Sequence, residues 1–555
     1  MLVGPVNIFT PTVERTIEFM GYNTNPVIGD GEMRNMMNLT SDEYPCLTQR
    51  KDRIEYEDAT DSTTWAAMDL QDPVAMIEKA VIKDGVSQKK LAVIDHVNGS
   101  YVFKYDGTSY PGLGLSADTF MVAINTRICF FPEKKWFNVQ TSETGSLEAT
   151  SSPTGSFTLG ADLLYQNITF TSASQIAGFH AGDAITMYAT LTINGSTYPY
   201  QNVPVSFEIQ DIKDNVMYIP EGTFLELDQE GAEAGTLSSV RMERLCPDLA
   251  FVMEYNNRLW GVDNAHNEIR ASKQGDPTNW NYYQGSSMDS YAATQGSDGE
   301  WTGLAAYSSH LLFFKEDCIH KVYGSKPSVY QIQTAKCYGL EKGSHKSVQI
   351  INDTVIYKSR VGIMAYDGGN PVLISEGFGK TKYKNVIAGA DGRKYYASMQ
   401  RSDGEYVYAV FDLDAGTWHI EDDMRATDFC YFKGDLIWIS DGAIMVSSGT
   451  SGEIEWLAEF GPFDEYLEDK KVYSKMKMRL QMYEGSELSL YMKIDGNDWE
   501  LVDTIEADEE TAAYLPIIPR RCDKYAIKLV GTGRVKIESL TRRYRAGTDG
   551  RDVKV

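Results

Sequence analysis

Short apolar or alternating runs, each cut off by Gly, Asn or Asp, make up nearly the whole chain. That pattern predicts β-strands joined by tight turns rather than amphipathic helices. Helical periodicity is almost absent, and the best helical candidate, around residues 73–79, is short and weak.

One unit recurs: about five strand-like residues, a short polar turn and a second such run. It occurs as LAVID-HVNG-SYVFKYDG from Leu91, ICFF-PEKK-WFNV from Ile128 and LWGV-DNAHN-EIRAS from Leu259. It returns as LLFFK-ED-CIHKVYG from Leu311, VIYKS-RV-GIMAYDG from Val355, YYASMQ-RSDG-EYVYAVFD from Tyr395 and LIWIS-DG-AIMVSSG from Leu436. Neighbouring copies start 37 to 52 residues apart, except for one step of 131, which an insertion of roughly 90 residues after Val139 explains. Antiparallel hairpins at such a period are the mark of β-propeller blades, where each blade covers the next one's apolar face and leaves only short edges. Seven hairpins predict six to eight blades; a stack of unrelated β-sandwiches is the alternative.

The expected organisation is an all-β chain with an extended N-terminal arm over 1–55 and a propeller over 56–141 and 246–455. Thr/Ser/Gly-rich strands such as GDAITMYATLTI suggest a small inserted β-barrel or sandwich over 142–245. An acidic, irregular linker is expected at 456–469, and four alternating strands in 470–555 predict a C-terminal β-sandwich.

Composition refines this picture. Aromatic residues reach 12%, with 34 Tyr, which suits half-buried pleated surfaces. Asp and Glu number 78 against 52 Lys and Arg, a net charge of −26. Residues 470–555 hold 17 Lys/Arg and 14 Asp/Glu, a net of +3, so the first 469 carry −29. An anionic body repels phosphate backbones at contact and suits a wall past which DNA slides without sequence-specific binding; acidity also serves simple solubility. Seven scattered cysteines, none in a C-x-x-C pair, argue against a disulfide framework or a zinc cassette and for small buried apolar residues in a reducing cytosol. The N-terminus lacks a signal-peptide pattern, and no run nears the roughly 18 apolar residues of a membrane span.

Candidate chemistry is sparse. No nucleophile-elbow, phosphate-loop or dinucleotide string occurs, and no His/Cys/Asp spacing fits a metal, so neither cofactor nor metal is expected. His266, His310, His320 and His345 fall in or beside hairpins and read as structural. DLDAGTW at 412–418 resembles the Asp-box of sialidase-type propellers, in which the carboxylate caps backbone N–H groups and the Trp packs between strands. NDW at 497–499 and PTNW at 277–280 are looser echoes. Glu421, Asp422 and Asp423 have the chemistry to flank a sugar, but acidic loops in an acidic protein are ordinarily just solvated. The chain is therefore expected not to be an enzyme. Arg542, Arg543, Arg545 and Arg551 oppose the charge of the rest and form a possible interface with the acidic body of a neighbouring copy.

Three segments carry a resemblance: NMMNLTSDEYPCLTQRKDR at 35–53, NRLWGVDNAHNEIRASKQGDPTNW at 257–280, and IIPRRCDKYAIKLVGTGRVKIESLTRRYRAGTDG at 517–550. The chain resembles the packaged-DNA stabilisation (tail accessory) proteins of tailed phages, and its architecture is similar to the tail nozzle of short-tailed phages. The resemblance implies a virion protein, made in the host bacterial cytoplasm and assembled as a ring, commonly sixfold, below the portal and adaptor. Such a ring retains the genome and later conducts it, and the family supplies no catalytic residues. The competing expectations are a tail-tip or receptor-binding protein for host-surface glycans, and a propeller hydrolase acting on polysaccharide.

Overall fold

The computed structural model describes residues 11–546 apart from 84, 162–163, 230–233, 450–452, 469 and 518–520. Strands dominate, and the two α-helices among the described residues, Ser62–Ala67 and Leu225–Gln229, are single short turns. No helix among them is long and apolar enough to cross a membrane. Each of the seven recurrent hairpins is the middle pair of strands in a four-stranded antiparallel sheet, so the protein is all-β and its repeat is that of a β-propeller. The turns explain the regularity. Asn98–Gly99 and Asp106–Gly107 hold both central residues at positive φ, the twist that two-residue hairpins need. A Cβ on Gly99 would meet nothing, so backbone conformation and not space selects glycine there.

The chain forms two compact units, Thr63–Gly339 and Met1–Ser62 with Leu340–Val555. The first holds four blades, opening with strands Pro73–Lys83, Phe120–Ile124, Phe251–Tyr255 and Gly303–Tyr307. Each opening strand lies beside that of the next blade. Side chains interlock between them, Ile94 and Phe103 with Phe130 and Phe137, and Trp260 with Trp301 and Phe313. The weak helical candidate at 73–79 is in fact an eleven-residue strand, Pro73–Lys83, paired along its length with Val86–Val97. Hairpin pairing outweighs the weak local helical preference.

Between the second and third blades lies a nine-stranded sheet running from Ala149–Ser151 to Ala234–Arg244. Thr144–Ser146 completes the second blade, so the insertion begins a few residues later than its composition suggests. Strict alternation in Ala184–Ile193 sends Ile185, Met187, Leu191 and Ile193 into a separate core with Leu237 and Met242. One buried carboxylate fastens this module to the third blade. Asp183 takes a 2.5 Å bond from Arg244 and a 2.6 Å bond from Asn279, which belongs to the PTNW loop. Gly182, at φ 88°, leaves room for the Tyr282 ring, which a Cβ there would meet at 2.4 Å.

The second unit holds three blades and a sandwich of two six-stranded sheets. The residues expected as an N-terminal arm contribute strands to three different sheets. Thr12–Thr16 pairs with Val535–Ala546, Glu32–Met37 pairs with Glu455–Phe463, and Arg53–Glu55 supplies the fourth strand of the seventh blade beside Ala443–Ser447. The acidic linker expected at 456–469 begins instead as strand Glu455–Phe463, inside the sandwich. Trp456, Ala458 and Phe460 alternate into the core while Glu455 and Glu459 face outward, so the acidic residues mark one face of a strand. Phe19, Met33, Leu39 and Leu47 share that core with Met476, Leu490, Ile527 and Ile537.

Asp183 and Arg244 are both buried, so losing one leaves the other charge unbalanced. Asp183→Ala is expected to cost about 3–5 kcal/mol, read as a lower urea midpoint, and adding Arg244→Met should recover much of that loss.

Candidate functional site

Within the second unit, a cavity of about 290 Å³ is lined by Asp42, Arg50, Asp391, Lys394, Tyr396 and Glu421, among others. Arg393, which also lines it, joins it to the DLDAGTW turn by a bond to Asp412. Asp412 ends a strand and accepts the backbone N–H groups of Asp414 and Ala415 at 3.0 and 3.1 Å, while Trp418 turns into the core and donates to the Ile374 carbonyl at 2.7 Å. The other Asp412 oxygen accepts the Ser41 hydroxyl at 2.6 Å and Arg393 at 2.8 Å. Burial alone raises a carboxyl pKa, but these donors and the Lys394 charge more than offset it and hold Asp412 below the usual range. Asp42 behaves likewise: burial raises its pKa, and Lys394, 2.6 Å away, more than offsets that.

Glu421, a lining residue, is held by Arg53, which spans two carboxylates, Asp422 at 2.5 Å and Glu421 at 2.6 Å, with its guanidinium 4.8 Å from the Tyr408 ring centroid. Burial lowers the Arg53 pKa, yet Glu421 and Asp422 outweigh it, and the net direction is upward. Arg50 donates to Asn38 at 2.7 Å and reaches Asp422 at 3.3 Å. Tyr396 donates to Asp391 at 2.8 Å. The arrangement holds the N-terminal segment against the sixth and seventh blades through opposed charges, around a space for water or a small polar solute. Glu421 and Asp422 are thus not the solvated loop that acidic composition suggests; Asp423 alone of the three is exposed. The strings RKDR at 50–53 and EDD at 421–423 carry opposite charge, but no spacing rule links segments so far apart.

The basic C-terminal residues separate. Arg542, expected at an intersubunit surface, is 1% exposed, bonded to Asp30, 3.5 Å from Glu465 and 4.4 Å from the Phe463 ring centroid. Strand alternation turns it inward while Arg543 and Arg545 stay exposed. Arg551 lies outside the described residues. His310 and His320 are buried in strands of the fourth blade, His266 is exposed beside Asp263, and His345 opens a single helical turn. Among the described residues no three His, Cys, Asp or Glu side chains come together as metal ligands would.

The sheet topology defines a β-propeller protein with added β modules. No family model and no curated protein matches the chain. Among solved structures it is similar to an exo-β-1,3-galactanase from Phanerochaete chrysosporium, at 8% identity over 52% of this chain and 94% of that one, TM-score 0.23. It is also similar to Hsv2 of Kluyveromyces lactis, at 13% identity over 48% of this chain and 88% of that one, TM-score 0.26. A GH43 glycoside hydrolase with endo-xylanase and exo-arabinofuranosidase activity matches at 10% identity over 54% and 98%, TM-score 0.20. With glycoside hydrolases among these structures, the expectation that the chain is not an enzyme is corrected: the exclusion does not stand.

The buried imidazoles set a pH dependence. Burial first, and nearby lysine charge second, pushes His320 down to about 4 and His419 down to about 3, and His310 is also lowered. An unfolded histidine titrates near 6.5, so between that pH and about 4 the unfolded chain binds protons the folded chain refuses. Stability should therefore fall as pH drops through this window. The depressed Asp42 and Asp412 pKa values add a further loss below about pH 4. Melting temperatures at pH 7, 6, 5 and 4 should decline progressively, and His419→Leu should flatten the slope from about pH 6.5 down to 4.

Proposed function

We propose that the chain is a structural component of a tailed-phage particle, one subunit of a ring in the head-to-tail or tail conduit that retains packaged DNA and lets it pass during ejection. The observation that carries this reading is the tying of residues 12–55 into both sandwich sheets and the seventh blade, reinforced by buried ion pairs at Arg53 and Arg542. Such cross-ties resist outward load, because the N-terminal segment cannot peel away without breaking three sheets. The net charge of −26 supports it too, since an anionic wall does not hold a phosphate backbone. In this reading portal, adaptor or other tail proteins are the partners, and the virion is where the protein resides.

A second reading, glycan recognition at a tail tip, is favoured by one observation. An open cleft of about 400 Å³ in the sandwich is lined by Trp499, Arg34, Lys493 and Lys524, and an indole beside polar groups suits a sugar face.

Negative-stain electron microscopy of the purified chain separates the two readings. The conduit reading expects closed rings with a central hole and no retention of duplex DNA at about 0.15 M salt. Isolated monomers or trimers that bind a glycan array, with binding lost in Trp499→Ala, would overturn it.

A further inference from the structure

We propose that the outward face of the C-terminal sandwich bearing Lys475, Lys477, Arg543 and Arg545 docks onto the acidic edge strand Glu500–Ala507 of a second copy of this chain, joining identical subunits head to tail. The inference rests on the ring reading above and names the surfaces that would make the contact.

Strand alternation builds the basic face. In Lys471–Met482 the residues Tyr473, Met476, Met478 and Leu480 point into the core, which sends Lys475, Lys477 and Arg479 outward. Lys475 lies opposite Arg543 on the neighbouring strand, and Lys477 lies opposite Thr541. On the far side of that strand, Arg15 is also opposite Thr541, and the exposed Val13 is opposite Arg543. Arg545 sits opposite Val472, which is 44% exposed. Arg479 lies 2.9 Å from the Glu538 carboxylate. Like charges directly opposite one another weaken a sheet. Lys477 first, and Arg543 with it, lowers the Lys475 pKa, as expected of crowded cations.

The complement lies in the same chain. Residues 495–510 hold eight Asp/Glu and no Lys or Arg. Their strand, Glu500–Ala507, ends its sheet and, among the described residues, pairs on one side only, with Ser486–Ile494. Glu500 to Thr504 are all exposed, and Leu501 and Val502 stand 58% and 44% open, an unusual display for a strand edge. Lys471–Met482 and Glu500–Ala507 belong to different sheets of the sandwich. Glu510, at the end of the acidic run, bonds Gln481, six residues and roughly 20 Å along the strand from Lys475. Each surface thus pairs a charge cluster with exposed aliphatic residues, and the signs are opposite. A second copy satisfies both at once. A contact between two different patches of identical subunits is heterologous, the kind that closes into rings.

The test uses the full chain and two charge reversals at exposed positions, with folding checked by melting. The face variant is Lys475→Glu, Arg543→Glu, Arg545→Glu, and the edge variant is Glu500→Lys, Asp503→Lys, Glu506→Lys. By analytical ultracentrifugation the wild type should assemble, and assembly should weaken as salt rises to about 0.5 M. Each variant alone should dissociate, with its association constant down by at least about tenfold. An equimolar mixture should reassemble, since every contact in an alternating ring again joins opposite charges. Rings that persist in either variant, or a mixture that stays apart, would overturn this contact while leaving the ring reading intact. A wild type that never assembles overturns both. Retention of duplex DNA by the wild type, lost in the face variant while assembly is kept, makes the face a nucleic-acid site and sinks the inference.

Discussion

Pairing between the first 55 residues and the last 140 is the constraint on which the second unit depends. Thr12–Thr16, Glu32–Met37 and Arg53–Glu55 each pair with a strand that lies beyond residue 440. Closing so long a loop has an entropic cost that grows only slowly with length, so distant strands pair nearly as readily as near ones once the apolar faces are there to meet. The faces are present: Phe19, Met33 and Leu47 fill gaps in the sandwich core that the C-terminal strands leave open.

Buried charge then gives that pairing its register. Arg53 between Glu421 and Asp422, and Arg542 beside Asp30 and Glu465, stand where only one alignment of the strands satisfies them. A shifted register would strand an ion in the interior, which is far costlier than losing one apolar contact. The same logic anchors the inserted module, where Asp183 joins Arg244 to Asn279. These groups stabilise less by Coulomb attraction than by penalising every alternative packing.

The surface divides by function. Most of the chain is anionic, which suits the conduit we propose, while one face of the terminal sandwich gathers Lys475, Lys477, Arg543 and Arg545. The cleft beside Trp499 underlies the second reading we propose, sugar recognition.

The hairpin repeat was legible in the sequence because it is local. Turn residues such as Asn98–Gly99 and period-two alternation act on neighbours, so all seven hairpins, the all-β class and the inserted module follow from adjacent residues. What only the tertiary structure decided was non-local. The strand hidden in the acidic segment from Glu455 to Phe463, the burial of Arg542 while Arg543 and Arg545 stay exposed, and the union of RKDR with Glu421 and Asp422 all depend on partners hundreds of residues away or across a sheet. Alternation tells that one of two adjacent residues points inward. Which of them does is set by the sheet that arrives to cover it.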